Sequence, residues 1–137
     1  MRLDLLVNNF VYRAISDGFV VVFEGHFKRN YIHVLDVVQA FNLALENQGS
    51  FAGQIFNVGL SEANISKIEL CEEIKKQLPN FTFLEAPLGK DPDQRNYIVS
   101  NTKIEKVGFS PKVTLQEGIS ELIRGLPMFN HKPFTNV

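Results

Sequence analysis

Phe23-Glu24-Gly25-His26-Phe27-Lys28-Arg29-Asn30-Tyr31-Ile32-His33-Val34-Leu35-Asp36 links two apolar runs, Val20-Val21-Val22-Phe23 and Tyr31-Ile32-His33-Val34. The runs read as strands, with Arg29 in the short loop between them and Asp36 opening a helix. A cation fixed between two strands and close to a helix start can hold an anion. The same arginine also reads as a solvated charge on an exposed hairpin. The residues alone leave both readings open.

The same alternation continues on both sides. Upstream, Leu3, Leu6, Val7, Phe10, Val11 and Ala14 recur at helical spacing and predict a helix over residues 3–15, stopped by Asp17-Gly18. The Val-rich run 19–23 has the form of a strand buried on both faces. Downstream, Asp36 with Gln39 makes a capping box for a second helix that carries Val37, Val38, Phe41, Ala44 and Leu45 and closes at Gly49. Residues 54–58 read as a strand. Ser66 and Glu69 cap a third helix, with Ile65 and Leu70 placed as a hydrophobic staple and Pro79 as its stop. A strand over 81–84 and a Pro-, Gly- and charge-rich loop over 85–96 follow. The chain then runs through a brief extended piece at 97–99, a short helix over 101–107 and a last helix capped by Thr114 and Glu117. Residues 1–127 thus form the structured portion, and 128–137 an irregular tail. Alternating helices and strands set the class as α/β. A complete doubly wound sheet begins with a strand and a Gly-rich turn, whereas this chain begins with a helix. The expectation is the second half of something larger.

Composition narrows the function. The chain has 137 residues, 45% hydrophobic and 21% charged, with 14 Lys plus Arg against 15 Asp plus Glu. That balance argues against nucleic acid or an anionic membrane as a partner. A single cysteine, Cys71, excludes an intrachain disulfide and a cysteine-rich metal site, which suits a cytoplasmic protein. No apolar run is long enough to cross a membrane, and the first residues lack a signal-peptide layout. Twelve phenylalanines against three tyrosines and no tryptophan suggest a Phe-rich core, or rings lining a pocket for a planar ligand.

The chemistry-bearing residues are binders. His26, His33 and His131 have no metal-ligand spacing, and no nucleophile elbow, Walker loop or Gly-x-Gly-x-x-Gly exists. His33 reads as a hydrogen-bonded structural histidine and His26 as a solvated turn residue. Arg29 heads the candidates, followed by Arg95 in the loop Lys90-Asp91-Pro92-Asp93-Gln94-Arg95. Asn8 and Asn9 interrupt an otherwise apolar helix, where asparagine is a poor helix former. Each of these also fits an ordinary solvated position.

An ordered series of motifs spans nearly the whole chain. It runs from Asp4-Leu5-Leu6-Val7-Asn8-Asn9-Phe10 through Phe23-x-Gly25, Arg29-Asn30-Tyr31-Ile32-His33-Val34-x-Asp36 and Phe56-Asn57-Val58-Gly59. Asp93-x-Arg95-x-Tyr97, Lys103-Ile104, Gly108-Phe109-x-Pro111 and Thr114-Leu115-x-Glu117-Gly118-Ile119 complete it. The series resembles the C-terminal half of the extended short-chain dehydrogenase/reductases, the NAD-dependent nucleotide-sugar epimerases and dehydratases. The resemblance implies the C-terminal substrate-binding subdomain of an NAD(P)-binding Rossmann-fold enzyme, without its N-terminal Gly-rich half. It implies that Asn8 or Asn9 reaches the substrate diphosphate or sugar, that Phe23 borders the base and that Arg29 grips a phosphate. Arg95, and more weakly Lys90, would contact phosphate or ribose. Gly89-Lys90-Asp91-Pro92-Asp93 replaces the family's Arg-x-Gly-Asp form here.

The family's hydride chemistry relies on a Tyr-x-x-x-Lys pair. Tyr12 is followed four residues later by Ser16, Tyr31 by Leu35 and Tyr97 by Asn101. No catalytic residue is therefore assigned, and NAD or NADP belongs to the complete enzyme, with none expected to bind this chain alone. The implied partners are a nucleotide-diphosphate sugar and a missing or separate Rossmann half, with a homodimer open to the full-length enzyme. Uncovered apolar patches are expected on the first helix and the 20–23 strand. The competing function is a non-catalytic nucleotide-binding or interaction module derived from the same family.

Overall fold

Gly18, at φ 73°, ends the first helix as its sequence requires, and its N–H bonds back to the Arg13 carbonyl at 3.1 Å. In the computed structural model, residues 2–87, 89 and 95–128 are described. They fall into two compact units, one of the described residues within 2–27, 66–89 and 116–128 and the other of residues 28–65 and 95–115.

The first unit is a small α/β layer. Strand β1 (Phe19–Val22) pairs in parallel with β4 (Thr82–Glu85), with Phe19 opposite Thr82 and Val22 opposite Glu85. Helix α1 (Leu6–Ser16) packs on β1, and α4 (Lys67–Gln77) packs on α1 and β4. The capping box forms as read: Ser66 N–H donates to Glu69 at 2.7 Å and Glu69 N–H to the Ser66 hydroxyl at 3.2 Å. Leu70, Cys71 and Ile74 then reach 0% exposure. Burial, with a smaller push from the Glu72 charge, raises the Cys71 thiol to about 12, so it packs as an inert apolar group. Helix α6 (Leu115–Gly125) begins directly after Thr114, and its Gln116 amide donates to the Glu73 carboxylate at 2.9 Å. Together with the Lys76 ammonium, that bond holds the Glu73 carboxyl below its usual range.

Strand β1 departs from expectation. Val20 and Val22 are buried, but Phe19 is half-exposed and Val21 intermediate. Its apolar run comes from β propensity on a sheet with one covered face, not from burial on two.

In the second unit, β2 (Lys28–Asn30) pairs with β3 (Asn64–Ser66) in a second two-stranded sheet. Arg29 is thus the middle residue of a strand, not a loop residue, and is buried. The run 31–34 is not the strand expected there. Tyr31 still exchanges backbone bonds with Ala63 and Leu60, but His33 then turns the chain into helix α2 (Val34–Glu46). His33, not Asp36, caps α2: its Nδ1 accepts from the Leu35 N–H at 3.3 Å. Asp36 is drawn inside instead, at 0% exposure, where its carboxylate accepts from Gln39, Lys112 N–H and Val113 N–H. A short helix, α3 (Gln48–Phe51), follows α2, so Gly49 lies within a new turn of helix and does not close the old one. The core gathers Ala40, Ile104 and Phe109, with Ile32, Leu43, Phe51, Phe56 and Val107 packed on it. Ile104 lies on the short helix α5 (Thr102–Glu105). Residues 54–58 form no strand among the described residues.

Candidate functional site

The two arginines singled out by sequence lie in the second unit, on segments tied side by side. Lys28 N–H donates to the Asn96 side chain at 2.9 Å, and Tyr97 N–H donates to the Lys28 carbonyl at 3.2 Å. This aligns residues 95–97 along β2 and seats Arg29 against them. Its guanidinium carbon lies 5.5 Å from the Tyr97 ring centroid, while Nη1 donates to the Lys28 carbonyl at 3.0 Å. The ring and the carbonyl fix the plane of the fork before any ligand arrives. Arg95, by contrast, is exposed, two residues before that ring. A buried, oriented cation beside an exposed one is an arrangement suited to a multiply charged anion.

Below that pairing, the segment is locked by asparagines. Asn64 accepts from Val99 N–H at 2.9 Å and donates to the Val99 carbonyl at 3.0 Å, replacing a strand partner with a side chain. Asn30 donates to the Leu60 carbonyl at 2.7 Å. Gly59 permits the close approach of Asn30 and Asn101, because a Cβ there would lie 1.8 Å from the Asn30 oxygen. These asparagines were not singled out as site residues from sequence; Asn30 lies in the Arg29-Asn30-Tyr31 series and Gly59 in Phe-Asn-Val-Gly, while Asn64 and Asn101 lie in no quoted motif.

Asn8, Asn9 and Phe23 belong to the first unit. Helix α1 starts at Leu6, so both asparagines sit in its first turn and not in its middle, which removes the propensity conflict. Asn8 donates to the Arg2 carbonyl at 2.8 Å. Phe23 follows β1 directly. Its carbonyl accepts from the buried Lys67 Nζ at 2.8 Å, and Gly89 packs so tightly on its ring that a Cβ would lie 2.5 Å away. The Phe23 carbonyl is thus already engaged, which leaves its partly exposed ring as the feature a base would meet. Lys90 lies outside the described residues. Among the described residues Phe10, Phe51, Phe56, Phe81 and Phe109 serve packing, while Phe19, Phe23 and Phe41 are exposed. The cavity of about 220 Å³ in the second unit, bordered by Ser61, Glu62, Glu105 and Lys112, has no aromatic lining.

The chain's own parallel strand pair does not fit a dinucleotide. A diphosphate needs open backbone N–H groups in a Gly-rich turn after the strand. Here the turn after β1 holds Phe23 and then Glu24, at φ 49°, and the Gly25 N–H already donates to the Glu85 carboxylate at 2.9 Å. A carboxylate at that place repels an anion. Among the described residues no group of His, Cys, Asp and Glu could hold a metal, and no helix is long and apolar enough to cross a membrane.

Comparison with known proteins agrees with this architecture. The sequence model of the NAD dependent epimerase/dehydratase family matches residues 3–59. A dTDP-4-dehydro-6-deoxyglucose reductase of Escherichia coli is 36% identical over 104 residues, covering 72% of this chain and 31% of the reductase. A UDP-glucose 4-epimerase of Thermotoga maritima, solved with UDP-glucose, superposes with a TM-score of 0.72 at 26% identity, over 90% of this chain and 40% of that one. An L-threonine dehydrogenase of Clostridium difficile superposes with a TM-score of 0.74 at 16% identity, over the same 90% and 40%, a likeness of fold alone. The chain spans well under half the length of the curated relatives it matches.

Proposed function

Starting from a chain that belongs to the NAD-dependent epimerase/dehydratase family, we propose that it is the nucleotide-diphosphate-sugar binding portion of a sugar-nucleotide epimerase, dehydratase or reductase. The observation that carries this reading is the alignment of Arg29 and Arg95 on neighbouring segments, with Arg29 buried and its guanidinium plane fixed. Two guanidiniums match the oxygens of a diphosphate bidentately, which a lysine pair would not do. Relatives named for dTDP- and UDP-linked sugars support the substrate class. Asn8 or Asn9 would add a hydrogen bond to diphosphate or sugar, the ring of Phe23 would flank the base, and Lys90 would assist Arg95.

In this reading NAD(P) supplies the redox step of the complete enzyme, held by residues outside this chain. The residues present bind the substrate and fix its orientation, which is a large part of the catalytic advantage in such enzymes. The setting is the cytoplasm, where a lone buried thiol such as Cys71 stays reduced.

Titration calorimetry of the chain with UDP-glucose and dTDP-glucose tests the assignment. Arg29→Ala is expected to weaken binding by about 1.5–3 kcal/mol, roughly tenfold to a hundredfold in Kd. Unchanged affinity in that variant would remove Arg29 from the site.

A further inference from the structure

A lysine stands in the first unit where two physical rules disfavour one. Lys67 is the first residue of α4, at the positive end of the helix dipole, and is only 1% exposed. An apolar side chain would fill that place with less loss of stability. What the lysine does there is hold a turn. Residues 23–27 leave β1 and lie against the start of α4: the Lys67 N–H donates to the Phe27 carbonyl at 3.3 Å and the Ile68 N–H to the Gly25 carbonyl at 3.1 Å. The Lys67 ammonium reaches the other end of the turn. It donates to the Phe23 carbonyl at 2.8 Å and lies 5.3 Å from the Phe27 ring centroid. One residue thus ties down both Phe23 and Phe27. Between them Glu24 holds φ 49°, a left-handed conformation that costs a residue with a side chain. Gly25 comes so close to α4 that a Cβ would lie 2.6 Å from the Ile68 side chain. Such a turn persists only where its surroundings over-determine it.

We propose that Lys67 is a positioning residue for the nucleoside of the substrate, acting through Phe23 without touching the ligand. Strand β1 fixes the chain entering Phe23, the Lys67 ammonium fixes the carbonyl leaving it, and Gly89 packs on its ring. The part of Phe23 that remains exposed, 37%, is therefore presented in one direction. A planar base stacks on a ring already held still at a smaller entropic cost than on a mobile one. This return accounts for a buried cation at a helix start, since local rules are broken where function needs it. The inference rests on the reading above that Phe23 flanks the base. It adds a division of labour: Lys67 serves the base, whereas Arg29 and Arg95 serve the diphosphate.

Titration calorimetry of the 137-residue chain with UDP and with inorganic diphosphate separates the two parts of the ligand. Lys67→Met keeps the length of the side chain and removes its charge. It is expected to weaken UDP binding at least about tenfold and to leave inorganic diphosphate binding unchanged. Lys67→Arg, which keeps a donor for the Phe23 carbonyl, should recover most of that loss. A lysine with a structural role alone would move both affinities together or neither. Hydrogen exchange of the unaltered chain keeps the test independent of how well Lys67→Met folds: UDP should slow amides 24–27 at least about threefold, and inorganic diphosphate should not. Three results overturn the proposal: a folded Lys67→Met that binds UDP as before, an equal loss of both ligands, or amides 24–27 unprotected by UDP. An unaltered chain that binds neither probe overturns the binding assignment itself, and the role of Lys67 with it, so the two failures are told apart.

Discussion

Helices α4 and α2 are of similar length, 11 and 13 residues, and both carry enough apolar residues to bury a face. Helix α4 does so: Leu70, Cys71 and Ile74 are fully buried within its unit. Helix α2 buries only Asp36 and Ala40 and leaves Val34, Leu35, Val38, Phe41 and Leu45 in solvent. The contrast is one of wiring. Helix α4 lies against β4, the strand that follows it, and against α1. The segment following α2 and α3 enters no sheet among the described residues. One helix is packed along its apolar face, and the other leaves an apolar stripe uncovered among the described residues.

The largest expected effect lies on the packed side. Ile74→Ala should cost about 3–4 kcal/mol, read by urea denaturation, because the fully packed neighbours of Ile74 cannot close over the lost atoms. A cost below about 1 kcal/mol would mean that the α4 core is loose and the comparison mistaken. Next comes the one strong anchor of α2. Asp36→Ala removes the acceptor for Lys112 N–H and Val113 N–H and should cost about 2–3 kcal/mol. Smallest is the exposed stripe. Phe41→Ser should change stability by no more than about 0.5 kcal/mol, despite removing an aromatic ring from a helix. A large loss there would show that the stripe is covered within the chain itself.

Much of this was legible in the residues. Capping chemistry is local, so Ser66 with Glu69 fixed the start of α4, and Gly18 fixed the end of α1. Apolar spacing likewise located β1, β4 and α6. What failed depended on partners distant in the chain. Asp36 has the composition of a cap, but Lys112 and Val113 recruit it inward and leave the cap to His33. Arg29 reads as a loop charge until Ala63, Asn96 and Tyr97 build strands and a ring around it. Residues 54–58 have strand composition without a neighbour to pair with, which no local pattern reveals. The expected exposed patches show the same limit. They were placed on the first helix and on residues 20–23. On the first helix Phe10, Val11 and Ala14 are buried; on residues 20–23 Val20 and Val22 are buried while Phe23, with Phe19 and Leu84 beside it, is exposed. Helix α2 carries a further exposed stripe that its sequence did not announce. In the candidate site, the arginines and asparagines were legible as residue types, whereas the alignment of residues 95–97 along β2 came only with the fold.

The account turns on the diphosphate lying at that alignment. Hydrogen exchange of the chain with and without UDP-glucose measures it directly, amide by amide. The account predicts that the amides of Arg29 and of residues 95–97 slow by at least about threefold on adding ligand, with α4 unchanged. Exchange that is identical throughout, or slowed elsewhere but not at Arg29 and residues 95–97, would contradict it.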